Sequence, residues 1–343
     1  MKKAFAFLIL FFGLTNLITA YADEVKPGVS FYYRQLDNRN GLSNSSINAI
    51  LQDKDELLWI GTWDGLNRYD GARFNVYNHN IDKIENSIGS NVIQAISEDQ
   101  NGNIWINTIG GISRYQKTTG KFFRYFYKNT TAKKVTENEY KLAINAKGEV
   151  FCYAADGILS KYDPNSDKFI TYQKFASNNG IVKMQFSQNQ LWYLTKKENL
   201  VVANPTSAGL KVVRSFKLDG GITNFFVVNK QIILSLNNDN HFKIDEKLNT
   251  QAIGIGKRKI KAITYYQSHY VIAWETKGVN VYDEKFITSK FLHSEINKLA
   301  NLKVTALNIS KDKILWIGTD GNGLIQIYPK DNYFGVLTKI GGT

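Results

Sequence analysis

An all-β fold, a seven-bladed β-propeller of four-stranded antiparallel blades, is what this sequence predicts, on three observations. Trp59, Trp105 and Phe151 stand forty-six residues apart, as do Gly65, Gly111 and Gly157, and Tyr69, Tyr115 and Tyr162 follow in near register. Each copy alternates short β-rich runs with polar or glycine turns, so that "INAILQD", "LLWIGT" and "GLNRYD" in the first answer to "VIQAISED", "NIWINT" and "GISRYQ" in the second. Only 4 prolines occur in 343 residues, as expected where central strands use their N–H groups for pairing. A four-stranded repeat of forty-odd residues is the size of one propeller blade.

Taken in order, the first strand of each repeat shows the two-residue period of a half-buried strand, clearest in "INAILQD" and "VTALNIS". A polar turn follows, closed by Asn101-Gly102 or Lys147-Gly148, then the Trp strand. Asp64-Gly65 and Asp156-Gly157 are hairpin signals ahead of the third strand. Phe74 and Tyr77, or Phe122 and Phe123, mark an outer strand. Four weaker copies keep the pattern: "VKMQFSQNQLWYLTKKENLVVAN", "ITNFFVVNKQIILSLNNDNHFKI", "IKAITYYQSHYVIAWETKGVNVYD" and "VTALNISKDKILWIGTDGNGLIQIY". One such blade exposes two apolar faces and two edges, so it is stable only between neighbours in a closed ring. The recurrent Trp59, Trp105, Trp192 and Trp316 read as packing between blades. Closure needs one terminal strand, and two segments qualify, Phe31 to Leu36 and Tyr333 to Thr338; the second is expected to lead toward something else.

The first 22 residues read as a secretory signal peptide. Lys2 and Lys3 precede an apolar run from Ala4 to Phe12, and Ala20, Tyr21 and Ala22 form a cleavage pattern ahead of Asp23. An uncleaved anchor is the alternative, but the run falls short of the roughly 20 apolar residues that span a bilayer. Residues 23–343 are then expected to form the propeller, in the periplasm, with no membrane span of their own. Cys152, the single cysteine, excludes an internal disulfide and stands at an apolar strand position, so a packed core has to supply stability. The formal net charge is +13, partly on Lys2 and Lys3. Outside the cytoplasm that favours anionic glycans or a membrane face over nucleic acid as partners, beside the plainer reading that scattered lysines keep the chain soluble.

The stretch "NGLSNSSINAILQDKDELLWIGTWDGLNRYDGARFNVY" resembles the two-component regulator propeller repeat in the periplasmic half of hybrid two-component sensors of gut Bacteroidetes, and the resemblance extends from Phe31 to about Thr338. Repeats one, two and seven match closely, and three to six diverge. The resemblance implies two propellers and an immunoglobulin-like domain ahead of a membrane helix, a histidine kinase, a receiver and a DNA-binding domain, responding to glycan fragments. This chain ends at "KIGGT" with no kinase motif, so what it inherits is a recognition role: it is expected to bind an oligosaccharide, with a lean toward an anionic one, or to assemble with the remaining sensor domains or a second protomer. It is not expected to be an enzyme itself. It is expected to be either a piece of a split sensor or a stand-alone propeller.

In a propeller the turns between second and third strands open on one face, and the first-to-second turns on the other. On the first face the sequence places Trp63, Asp64, Asp156, Lys196, Lys197, Asp239, Lys277 and Asp320. On the second it places Asp53, Asp55, Glu56, Glu98, Asp99, Lys230, Lys311 and Lys313, acidic in early blades and basic in later ones. Sugar recognition wants an aromatic ring and planar polar groups. Trp63 is the extra Trp of the first hairpin turn. Counting from the turn glycine places Asn107, Tyr153 and Trp274 where the first repeat has Gly61, and departures from a repeat are where function is expected. Arg68 and Arg114 recur on the third strand and suit a carboxylate or sulfate, or else cap the packing between blades. These six, Trp63, Arg68, Asn107, Arg114, Tyr153 and Trp274, are the candidate ligand-binding residues. A propeller lyase or glycosidase is the rival reading, and a protein-binding scaffold a third. His79, His241, His269 and His293 are scattered without metal-ligand spacing, and no catalytic residue, metal or cofactor is expected.

Overall fold

The computed structural model describes residues 30–82, 86–125, 140–154 and 156–330. The stretch expected to be a signal peptide, residues 1–22, and the segment Tyr333 to Thr338 lie outside them. Phe31–Pro329 forms one compact unit, built from seven antiparallel sheets. Blade one consists of Ile47–Gln52, Leu58–Thr62, Gly65–Tyr69 and Phe74–Tyr77, hydrogen-bonded in chain order. Blades two to five repeat that order. The first strands of successive blades are neighbours around the ring axis: Ile47–Gln52, Ile93–Glu98, Tyr140–Ile144, Ile181–Ser187, Ile222–Val228, Ile260–Tyr266 and Val304–Ile309.

The ring is closed from the N-terminal end. Phe31–Leu36 pairs antiparallel with Leu324–Pro329, Phe31 opposite Pro329 and Leu36 opposite Leu324, and becomes the outer strand of blade seven. Blade six departs from the four-stranded expectation. It has three strands, Ile260–Tyr266, His269–Trp274 and Val279–Tyr282. In place of a fourth, residues 283–303 turn through a single bridge between Tyr282 and Thr288 into a short helix, His293–Asn297. Leu292, Ile296 and Leu299 bury into the core between blades six and seven, so this segment covers apolar surface without pairing as a strand.

The Trp strands supply the packing between blades. Trp59 of blade one packs among Ile93, Ile104 and Ile106 of blade two, Trp105 of blade two among Tyr140, Val150 and Cys152 of blade three, and Trp316 of blade seven among Ile47, Leu58 and Ile60 of blade one. Cys152 is buried there, and burial pushes its thiol pKa up, which makes it an inert core residue. The small residue of "LWIGT" has a cause as well: a Cβ on Gly61 would collide with Ile93 of the next blade, and one on Gly318 with Ile47.

The first-to-second turn anchors the Trp. Asp53 Oδ1 accepts from the backbone N–H groups of Asp55 and Leu57, and its Oδ2 accepts from Trp59 Nε1 at 2.8 Å. Asp99 does the same for Asn101, Asn103 and Trp105 Nε1. In blade seven the place is taken by Ser310, which reaches only Ile314, and the buried Trp316 Nε1 has no partner. Ser310→Asp is therefore expected to stabilise the propeller by about 1 kcal/mol; urea unfolding would show a higher midpoint at unchanged slope.

Candidate functional site

Where the first strands of blades two to six meet at the axis they leave a cavity of about 740 Å³, within the size range of small-molecule sites. Its wall is set by strand chemistry. At the site of Gly61, opposite Ala49, blade two carries Asn107 opposite Ala95, and blade three carries Tyr153 opposite Lys141. Both are buried, Asn107 5% and Tyr153 4% exposed, and both line the cavity. Asn107 Nδ2 donates to Tyr140 O at 2.9 Å, bridging to the first strand of blade three. That bond fixes the amide and leaves Asn107 Oδ1 a buried acceptor with no partner. Gly180 lets the Tyr153 hydroxyl approach the link into blade four, since a Cβ at 180 would stand 2.5 Å from it. The second-to-third turn of blade four contributes Lys196 to the lining, so the cavity reaches the face on which such turns open.

The other four candidate residues lie outside this lining. Trp63 is 48% exposed on the first hairpin turn. Arg68 sits opposite Trp59 on the third strand of blade one, with its Nε buried. Arg114 is packed at the boundary of blades two and three: its guanidinium lies 4.5 Å from the Phe123 ring centroid, and Nη2 meets Asp167 Oδ1 at 3.1 Å, where Tyr125 and Tyr162 also donate. It therefore caps inter-blade packing. The placement of Trp274 at the Gly61 position is corrected by the register. Trp274 pairs with Ile260, which makes it the counterpart of Thr62, and Ala273 takes the Gly61 place. The blade-six hairpin turn has three residues, 275–277, where blade one has two, so counting from the glycine overshoots by one. Trp274 is buried between blades five and six, with Nε1 donating to Asn280 Oδ1 at 2.7 Å and the Arg258 guanidinium 4.8 Å from its ring centroid.

Residues that the sequence reasoning missed are the inward-facing ones of the first strands: Gln94, Lys141, Lys183, Asn224 and Lys261 all line the cavity. The available signal was a lysine inside otherwise apolar strands, in "YKLAI", "IVKMQFS" and "IKAITYY". Lys183 Nζ donates to Asn224 Oδ1 at 2.8 Å and lies 4.2 Å from the Phe226 ring centroid. On the opposite face the acidic residues of blades one and two gather around a cation: Lys117 Nζ meets Asp53 at 3.1, Asp55 at 2.7 and Glu98 at 2.9 Å. Against the cost of burial, hydrogen bonds to Asp55, Glu98 and Asp53 hold its pKa above the ordinary lysine value. That acidic cluster is thus an internal ion-pair network tying blades one and two. Among the described residues no group of three or more His, Cys, Asp or Glu side chains could hold a metal ion, and no helix is long and apolar enough to cross a membrane.

Comparison with known proteins adds to this geometry. A two-component regulator propeller family profile matches residues 41–64 and 87–110, the stretches that lead into and through the Trp strands of blades one and two. A segment of 51 residues is 45% identical to histidine kinase P4 of Formosa agariphila, covering 15% of this chain and 4% of that protein. Among solved structures, the extracellular domain of a hybrid two-component system of B. thetaiotaomicron superimposes with a TM-score of 0.67 at 20% identity, over 88% of this chain and 42% of the other. A second such domain from the same organism gives 0.67 at 17% identity, over 87% and 42%. Virginiamycin B lyase of Staphylococcus aureus gives 0.64 at 12% identity, over 87% and 99%. At these identities the structural likeness establishes the fold. The chain spans under half of the two-component domains and a small part of the kinase.

Proposed function

We propose that this chain, built on the two-component regulator propeller repeat, is the periplasmic ligand-sensing module of a two-component system and holds a glycan fragment in its axial cavity. The observation that supports the reading best is the departure from the repeat at one point of the ring. Where blade one has glycine, blades two and three place a buried amide with an open acceptor, Asn107, beside a buried aromatic hydroxyl, Tyr153. Hydroxyl-rich ligands satisfy such acceptors, and the aromatic wall suits a pyranose face. Because the ring is closed by its own N-terminal strand, blades have little freedom to move against one another. The signal is then a rigid-body change in how the propeller packs on further sensor domains or a second protomer, driven by a ligand that favours one arrangement.

Calorimetric titration of the full chain with a panel of neutral and acidic oligosaccharides, with product analysis, tests the reading. Saturable binding without turnover is expected, and Asn107→Ala is expected to weaken it about tenfold, the cost of one buried hydrogen bond. Turnover of the bound saccharide would move the protein to the lyase or glycosidase class. Failure of every saccharide would overturn the glycan reading.

A further inference from the structure

Three lysines away from the axis sit on carboxylates: Lys117 meets Asp53, Asp55 and Glu98, Lys161 meets Glu149, and Lys303 meets Asp320. At the axis four others gather. The described lining of the cavity contains Lys141, Lys183, Lys196 and Lys261 and no Asp or Glu. They come from blades three, four and six and converge because first strands of a propeller share its axis. Lys183 is held in place rather than left to solvent, by its bond to Asn224 and by the Phe225 and Phe226 rings, whose centroids lie 5.4 and 4.2 Å from its ammonium.

Gathering like charges in a partly desolvated space is unfavourable, and Lys183 registers it. Burial, then repulsion from Lys261, pulls Lys183 down to about 7, and burial lowers Lys141 as well. The same wall offers acceptors of the opposite kind, since Asn107 Oδ1 and Gln94 Oε1 are buried without partners. Ammonium groups that suit an anion therefore face amide oxygens that suit hydroxyls, across one cavity of about 740 Å³.

We infer that the axial cavity is an anion site for an acidic saccharide: Lys183 and Lys261 bind its carboxylate or sulfate, and Asn107 and Gln94 accept from its hydroxyls. This deepens the glycan reading above and rests on it for the saccharide part. Lys196, on the turn at the cavity's open face, is the lysine that an approaching anion meets first, which gives the site a salt-dependent capture step.

The test is calorimetric titration of the full chain and of Lys183→Met and Lys261→Gln with four probes: trigalacturonate, a sulfated galactan tetrasaccharide, neutral galactotriose and inorganic pyrophosphate. The expected result is that one acidic saccharide binds at least tenfold tighter than galactotriose, that raising salt weakens it, and that either substitution removes the advantage. The trigalacturonate and sulfated arms decide between carboxylate and sulfate. Two substitutions at separate strands guard against a variant that misfolds, and circular dichroism of each reports the fold. Galactotriose binding as tightly as both acidic probes would overturn the anion site while leaving the glycan reading standing. Pyrophosphate binding that depends on Lys183, with no saccharide bound, would keep the anion site and overturn the saccharide. Binding of acidic probes that both variants retain in full would overturn the assignment of these lysines.

Discussion

Deleting residues 31–36 is expected to abolish the monomeric propeller, a larger effect than the loss of one edge strand from an open sheet. The strand supplies more than pairing. Phe31 is buried in the core between blades six and seven, and Leu36, 2% exposed, in the core between blades seven and one. Removing two buried side chains of this size costs about 3 to 5 kcal/mol for each, a large share of the stability of an ordinary domain. Deletion also bares the edge of Leu324–Pro329 and unlatches the two ends of the ring, leaving each terminal blade with an uncovered face. Size-exclusion chromatography with light scattering is expected to show aggregates or oligomers in place of a monomer. A peptide spanning residues 30–37, added in excess, should restore part of the monomer. An unchanged unfolding midpoint in the deleted chain would show that the ring does not depend on this latch.

How far the sequence could be read follows from what each element uses to specify itself. Blades were legible because packing between them reuses the same parts: a buried Trp in the second strand of blades one, two and seven, its indole N–H anchored by a turn Asp in the first two, and a glycine two residues later in blades one and seven where the next blade presses close. Where a blade finds another solution the reading slips. In blade six the hairpin turn gained a residue, which shifted Trp274 off the Gly61 position, and a helix-bearing segment covers the core in place of the outer strand. The terminal strand that closes the ring was open to two choices, since both segments read as outer strands; Phe31–Leu36 takes the place.

The axial site was partly legible. Asn107 and Tyr153 stood out as large or polar residues at a small-residue position, and they share one cavity. The lysines did not stand out, for a reason of strand geometry. Neighbouring strand residues face opposite sides, so a one-residue change of register turns a side chain from one face to the other. The first strands of six blades shift register near their start, with Lys261 the extra residue in blade six, whereas in blade three the pairing from Tyr140 to Ile144 runs unshifted. Bulges of this kind re-aim one side chain, and sequence alone does not fix their position. A lysine inside each of three apolar first strands was thus a visible signal, but its inward direction was not.

Lys183 carries the second large expectation, because a group placed for binding at the expense of stability reveals itself when it is removed. Lys183→Met is expected to stabilise the unliganded protein by on the order of 4 kcal/mol near and below pH 7, the cost of holding a charged lysine whose pKa has been brought from 10.5 to about 7. Met fills the space between Phe225 and Phe226 with a flexible apolar chain, and Asn224 Oδ1 keeps its bond from Phe225 N. The sign of the pH dependence follows from proton counting. Between about 7 and 10.5 the unfolded chain binds more protons at this site than the folded one, so wild-type stability rises with pH across that window. Among the neighbours, burial lowers Lys141 in the same direction, and Lys261, which shares the cavity, adds repulsion to Lys183 directly. Urea unfolding of wild type and Lys183→Met at pH 6, 8 and 9.5 should show the gap between them shrinking as pH rises. An anion bound at the axis favours the protonated ammonium, so trigalacturonate should close the gap at pH 6 by stabilising wild type alone. A Met variant less stable than wild type at pH 6 would mean that Lys183 is a structural residue whose bond to Asn224 outweighs its burial, and the functional reading of the lysine cluster would lose its energetic basis.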